Sequence, residues 1–134
     1  MYEFEINTGK RCELVEVDDL LREALRRSDL QEGVLIAFIP HTTAGILINE
    51  NADPDVKQDI LTSLERVIPL EGGYLHREGN SAAHIKASLV GSSVTIPVTE
   101  GRLKLGTWQS VFFAEFDGPR QRRLWITPVH STAK

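Results

Sequence analysis

Apolar and polar residues alternate at the start of the chain: Tyr2, Phe4 and Ile6 against Glu3, Glu5 and Asn7. A period of two with one apolar face predicts a β-strand. Asn7-Thr8-Gly9-Lys10 reads as a turn, and Cys12, Leu14, Val15 and Val17 predict a second strand in a hairpin with the first. Asp18 or Asp19 caps the next helix. Its buried stripe is Leu20, Leu21, Ala24 and Leu25, with Arg22, Glu23, Arg26 and Arg27 toward water. The continuous apolar run Val34–Ile39 predicts a strand covered on both faces. His41-Thr42-Thr43-Ala44-Gly45 connects it tightly to a strand from Gly45 to Ile48 that ends at Asn49-Glu50-Asn51. Asp53-Pro54 is a capped helix start, and Val56, Ile60, Leu61, Leu64, Val67 and Ile68 form a buried stripe up to Pro69. After the Glu71-Gly72-Gly73 loop and the aperiodic Tyr74–Asn80 segment, Ser81 caps a short helix over Ala82–Leu89. Val94, Ile96 and Val98 alternate with Ser93, Thr95 and Pro97, and the proline places this strand at an edge or an end. Leu103–Phe116 is aromatic-rich and strand-like, with Gly106 as a bulge or close-approach point. Asp117-Gly118-Pro119 turns the chain into a final strand over Arg120–Val129.

Strands outnumber helices, and neighbouring strands read as hairpins. The pattern predicts an α+β fold, a largely antiparallel β-sheet or sandwich with two to three helices, as one domain over residues 1–134. A doubly wound parallel sheet would carry a Gly-rich phosphate turn after its first strand, and this sequence has none there.

Composition narrows the function classes. Hydrophobic residues are 41% and charged residues 25% of the 134, the balance of an ordinary globular protein. The longest apolar run, Val34–Pro40, is far short of the ~20 residues a membrane helix needs. A net charge of −4 argues against a nucleic-acid binder, which shows a basic face. Trp108, Phe112, Phe113 and Phe116 read as core rather than stacking platform. Cys12 is the one cysteine, so neither an intrachain disulfide nor a thiolate zinc site can form. With an acidic, alternating N-terminus unlike a signal peptide, this predicts a cytoplasmic protein with no membrane partner.

The candidate chemistry lies in short polar blocks at the edges of these elements. His41 directly follows the apolar strand, His76 sits in the aperiodic segment, and His84 lies on the short helix, four residues after Asn80. Imidazole is the commonest ligand of zinc-like metals, so His41, His76 and His84 are the candidate metal set. Glu50, Asp53, Glu115 and Asp117 are carboxylates able to hold hydrated Mg²⁺ or to act as general bases, while Asp53 also reads as a plain helix cap. Arg120 and Arg122 share a strand face with Leu124 and Ile126, and arginine's planar fork suits phosphate. No Gly-x-Ser-x-Gly elbow is present.

The blocks His41-Thr42-Thr43-Ala44-Gly45-Ile46, Asn49-Glu50-Asn51-Ala52-Asp53, His76-Arg77-Glu78-Gly79-Asn80, Ala83-His84-Ile85-Lys86, Gly106-Thr107-Trp108-Gln109 and Glu115-Phe116-Asp117-Gly118-Pro119-Arg120 resemble the YjbQ family. Its members are described as secondary thiamine-phosphate synthase enzymes. The resemblance covers nearly the whole chain in one order. It implies an α+β fold, a homotrimer, and a weak joining of a pyrimidine pyrophosphate to a thiazole phosphate with release of pyrophosphate. The family's polar blocks map onto His41, Glu50, Asp53, His76, Asn80, His84, Gln109, Glu115, Asp117 and Arg120.

Such a reaction ionises the pyrimidine as pyrophosphate leaves, so the site needs positive charge at the leaving group and must exclude water. The expectation is an enzyme acting on a phosphorylated small molecule. Glu50, Asp53, Asn80, Gln109, Asp117 and Arg120 would do the chemistry, and His41, His76 and His84 would hold a divalent metal. Three imidazoles suit zinc or another transition metal, whereas Mg²⁺ would arrive with the substrate. The alternative is a non-catalytic metal- or metabolite-binding trimer, suggested by the amides Asn49, Asn51, Asn80 and Gln109.

Overall fold

The computed structural model describes residues 1–132, and the last two positions of the expected 1–134 domain lie outside the described residues. The elements in chain order are β1 (Tyr2–Asn7), β2 (Glu13–Glu16), α1 (Asp18–Ser28), β3 (Gly33–Phe38), β4 (Ala44–Glu50), α2 (Pro54–Val67), α3 (Ser81–Val90), β5 (Ser93–Thr99), β6 (Arg102–Leu103), β7 (Gln109–Glu115) and β8 (Gln121–His130). The strands form a five-stranded sheet in the order β1-β8-β3-β5-β6 and a three-stranded sheet in the order β2-β7-β4. Every pairing is antiparallel, as the α+β reading expects.

The main core lies between the two sheets. Leu35, Ala37, Ile96, Leu124 and Ile126 from the larger sheet meet Ala44, Ile46, Val111 and Phe113 from the smaller one. Leu21, Ala24 and Leu25 of α1 close one end of that layer, on the stripe predicted for this helix. A second cluster, built on Ala83, Ala87, Ala114 and Phe116, fills the opposite face of the small sheet beneath α2 and α3. β7 is therefore covered on both faces, and every residue from Ser110 to Glu115 is buried. Alternation sorts them: Val111, Phe113 and Glu115 point between the sheets, and Phe112 and Ala114 point toward the helices.

Five local expectations need correction. β1 and β2 form no hairpin, because β1 pairs with β8 and β2 with β7. The intervening segment crosses between sheets, held by Thr8 N–H to the Arg120 carbonyl (2.9 Å) and Gly118 N–H to the Arg11 carbonyl (3.0 Å). β3 closes on one face only. Leu35 and Ala37 are buried, but Phe38 is 41% exposed and stacks on Trp125. The α2 stripe is only half-covered, with no fully buried residue in the helix and Val67 facing water. Neither Asp18 nor Asp19 caps α1. Its N-cap is Val17, and the Asp18 carboxylate instead accepts the Val111 N–H at 2.8 Å, beyond the end of β2. By contrast, Asp53 does cap α2, accepting the Asp55 N–H at 2.9 Å ahead of Pro54. The cap of α3 is Asn80 rather than Ser81.

One ion pair joins the two sheets. Glu115 on β7 is fully buried and Arg122 on β8 is 4% exposed. Glu115 Oε1 accepts from Arg122 Nε at 2.8 Å, and Oε2 accepts from Arg122 Nη2. The remaining acceptor capacity is taken by Thr8 Oγ1 (2.8 Å) and the Asp117 N–H (2.9 Å). Arg122 Nη2 also donates to Thr43 Oγ1 at 2.9 Å. Gly118 is required beside this network, because a Cβ there would collide with the Lys10 carbonyl and stand 2.8 Å from both Glu115 Cγ and Thr8 Oγ1.

Burial alone would raise the Glu115 pKa, but the bonds from Arg122, the Asp117 N–H and Thr8 outweigh it and hold the carboxyl below its ordinary value. Its stabilisation is therefore complete above the unfolded carboxyl's pKa and is lost as pH falls through the lower folded value. Removing one partner strands the other charge in the core. Arg122→Ala or Glu115→Ala is expected to cost about 3–5 kcal/mol in urea unfolding. An apolar Glu115→Leu/Arg122→Met double variant is expected to recover most of that loss and to unfold with a weaker acid dependence. Single variants as stable as the wild type would refute this account.

Candidate functional site

The Glu115–Arg122 network forms the floor of a cleft of about 370 Å³. Its walls come from segments far apart in sequence: the β3–β4 connection with His41, Thr42 and Thr43, the start of α3 with Asn80 and His84, and the β7–β8 turn with Asp117 and Arg120. An adjoining hollow of about 380 Å³ shares His41, Thr42 and His84 and runs along α3 to Gly91 and Ser92. Gly45 lets β4 approach that end of α3: a Cβ there would stand 2.6 Å from the Gly91 carbonyl.

His41 is held by the main chain of β8. Its Nε2 accepts the Arg123 N–H at 2.9 Å. Burial first, and then the nearby Arg122 guanidinium, hold the imidazole below its ordinary pKa, with Glu115 partly opposing. The ring is thus neutral at neutral pH, and with Nε2 occupied as an acceptor its proton sits on Nδ1. His41 is a fixed hydrogen-bond donor rather than a base.

Asp117 organises the opposite wall. Its Oδ2 accepts from Asn80 Nδ2 at 3.0 Å and from Arg120 Nη2 at 2.9 Å, and its carbonyl accepts from Arg120 Nε at 2.8 Å. The other carboxylate oxygen has no protein partner among the described residues. Asn80 Oδ1 is buried without a hydrogen-bond partner, and the Asn80 side chain makes no cap bond to α3. A buried unpaired amide oxygen is costly, and here it belongs to a cleft-lining residue. The positive end of the α3 dipole begins at the same place.

His76 and His84 meet edge to face, with ring centroids 5.4 Å apart. Two imidazoles on one tetrahedral metal, with metal–nitrogen bonds of about 2.0–2.1 Å, place their centroids at about 5 Å, a similar separation. Glu78 Oε1 stands 3.9 Å from His76 Nε2. The expected three-imidazole set does not assemble, because His41 spends Nε2 on β8. Among the described residues no three His, Cys, Asp or Glu side chains form a metal-holding group.

The structure therefore gathers His41, His76, Asn80, His84, Glu115, Asp117 and Arg120 at one end of the small sheet and leaves Glu50, Asp53 and Gln109 elsewhere. Glu50 pairs in register with Gln109, whereas Ala44 pairs with Glu115. Six residues of β4 separate these ends, about 20 Å at roughly 3.3 Å per residue. Asp53 is spent as the α2 cap. Arg122, read as a phosphate-binding arginine, is buried and bonded to Glu115 and Thr43 through Nε and Nη2, while its Nη1 has no protein partner among the described residues. Thr8 is the supporting residue that sequence reasoning missed, and Thr43, expected as a donor to an anion, instead accepts from Arg122. The available signal was an arginine in phase with Leu124 and Ile126, and a glutamate inside the apolar run Val111–Phe116.

The family described as "UPF0047 protein YjbQ-like" matches residues 2–131. The chain is 50% identical over 126 residues to a UPF0047 protein of Methanocaldococcus jannaschii, covering 94% of this chain and 91% of that one. It is 48% identical over 123 residues to the UPF0047 protein YugU of Bacillus subtilis, covering 91% and 93%. A crystal structure of a YjbQ/UPF0047-family protein from Clostridium acetobutylicum superposes with a TM-score of 0.95 at 49% identity, covering 96% of this chain and all of the other. An Aeropyrum pernix protein, at 33% identity, gives 0.92 over 97% and 98% of the two chains. On its sequence and its fold alike, this chain belongs to the YjbQ-like UPF0047 family.

Proposed function

We propose that the chain is an enzyme acting on a phosphorylated small molecule in the cleft between His41, His84, Asp117 and Arg120. Thiamine phosphate formation from a pyrimidine pyrophosphate and a thiazole phosphate is the first reaction to assay. The observation that carries this reading is the convergence of oriented donors on one hollow. Arg120 is fixed at two points by Asp117 and keeps further N–H groups for an oxyanion. His41 presents its Nδ1–H in a single tautomer, and α3 starts beside them. Preorganised donors of this kind stabilise charge that develops on a leaving pyrophosphate without reorganising during the step. The free oxygen of Asp117 is available to accept a hydrogen bond from the substrate.

A divalent transition metal belongs to this reading at His76 and His84, with Glu78 as the nearest oxygen donor. Bound there, it would add positive charge on the phosphate side. A homotrimer also belongs to it. Val67, Leu75 and Leu89 are 73%, 98% and 66% exposed, an unusual apolar display around α2 and α3.

Asp117→Asn is expected to lower kcat by about 10²-fold, because it removes the charge that fixes the Arg120 donors at the leaving group. Arg120→Ala is expected to act chiefly on KM for the phosphorylated substrate, with circular dichroism unchanged in both variants. Full turnover by both, or no turnover by the wild type with any metal supplied, would remove the synthase assignment. Elemental analysis of untagged protein tests the metal separately. Bound transition metal is expected to disappear in His76→Ala and His84→Ala and to persist in His41→Ala. Equal loss in all three would restore the three-imidazole set.

A further inference from the structure

A second cavity, of about 700 Å³, lies between α1 and the β6–β7 segment and shares no lining residue with the histidine cleft. Its size is in the range of small-molecule pockets. We propose that it is a separate binding site for an amino-substituted nitrogen heterocycle carrying a phosphate. This inference does not depend on the reading of the histidine cleft.

Asp18 is the main argument. It is 3% exposed and lines the cavity, yet no cation is paired with it. Arg22, the nearest arginine in sequence, is bonded to Asp19 instead. One Asp18 oxygen accepts the Val111 N–H, and the other has no protein partner among the described residues. Accepting that N–H needs only a neutral oxygen, which an asparagine would supply without the cost of burying a charge. The surplus carboxylate oxygen calls for a ligand donor.

Gln109 supplies the complement. Its Oε1 accepts the Gly106 N–H at 2.8 Å, which leaves the Nε2 amide as the free end. The same cavity thus holds a carboxylate acceptor and an amide donor, the pattern that reads an amino group beside a ring nitrogen. Leu25, Leu30, Leu103 and Leu105 provide apolar walls for the ring. At the rim, Arg102 has no carboxylate partner among the described residues and suits a phosphate. The Gly106-Thr107-Trp108-Gln109 block, which the histidine cleft leaves unused, gains a role here: Gly106, Thr107 and Gln109 all line the cavity.

The test is an amide NMR titration of the full chain with cytidine monophosphate and adenosine monophosphate. Cytidine and benzyl phosphate serve as controls lacking the phosphate and the donor–acceptor edge respectively. Binding is expected to shift the Gln109 side-chain amide and the backbone N–H groups of residues 102–107. Asp18→Asn keeps an acceptor for Val111 and is expected to weaken nucleotide binding about tenfold or more, the loss of one charge-assisted hydrogen bond. Arg102→Ala alters only an exposed side chain. It is expected to weaken the nucleotides and leave cytidine unchanged, and it decides the question if Asp18→Asn fails to fold. His84→Ala is expected to bind like the wild type. Several outcomes would overturn the proposal: no shifts with either nucleotide, shifts confined to the histidine cleft, benzyl phosphate binding as tightly as the nucleotides, or Arg102→Ala binding them with undiminished affinity.

Discussion

The Glu115–Arg122 pair is the constraint on which the site depends. It ties the middle strand of the small sheet to β8 of the large sheet at one end of the core. A buried ion pair is stable only when nearly every donor and acceptor is satisfied. Here that condition recruits Thr8, Thr43 and the Asp117 N–H. Those three partners sit in the β1–β2, β3–β4 and β7–β8 connections. Satisfying one pair therefore fixes two of the cleft's walls, the β3–β4 and β7–β8 connections.

The electrostatics of the cleft follow from that arrangement. Burial, and then the nearby Arg122 guanidinium, hold the His41 imidazole below its ordinary pKa. The Arg123 N–H, one residue further along β8, holds the same ring in a single orientation. Asp117 orders both Asn80 and Arg120 through one oxygen. The cleft is thus lined by groups whose positions are set before a ligand arrives, the condition under which hydrogen bonds contribute most to transition-state stabilisation.

Periodicity made much of the fold legible. The alternation of Tyr2, Phe4 and Ile6, the Asp53-Pro54 helix start and the Leu21–Leu25 stripe all correspond to observed elements. Pairing partners were less legible, because a turn-like segment such as Asn7–Lys10 reads the same whether it closes a hairpin or crosses between sheets. Coverage was misread at β3 and α2 for a related reason: an apolar run reports what a segment can bury, not what the chain supplies to cover it. At the site, polar blocks identified the participants but not their distribution. Glu50 and Gln109 looked equivalent to Glu115 and Asp117 until the register of β4 on β7 put them at opposite ends.

β7 explains why one family of polar blocks serves two places. Its interior residues are all buried, so exposed chemistry can appear only where the strand ends. At the C-terminal end, Glu115 is drawn inward by Arg122 and passes its order to Asp117. At the N-terminal end, Gln109, bonded to the Gly106 N–H, lines a hollow that Asp18 also lines. Asp18 takes that position because β2 stops short, and a side-chain oxygen replaces the missing main-chain acceptor for Val111. Between the two ends lie Val111–Ala114, close-packed on both faces and hydrogen-bonded to β4 throughout. The two hollows are therefore built at opposite ends of one closely packed strand.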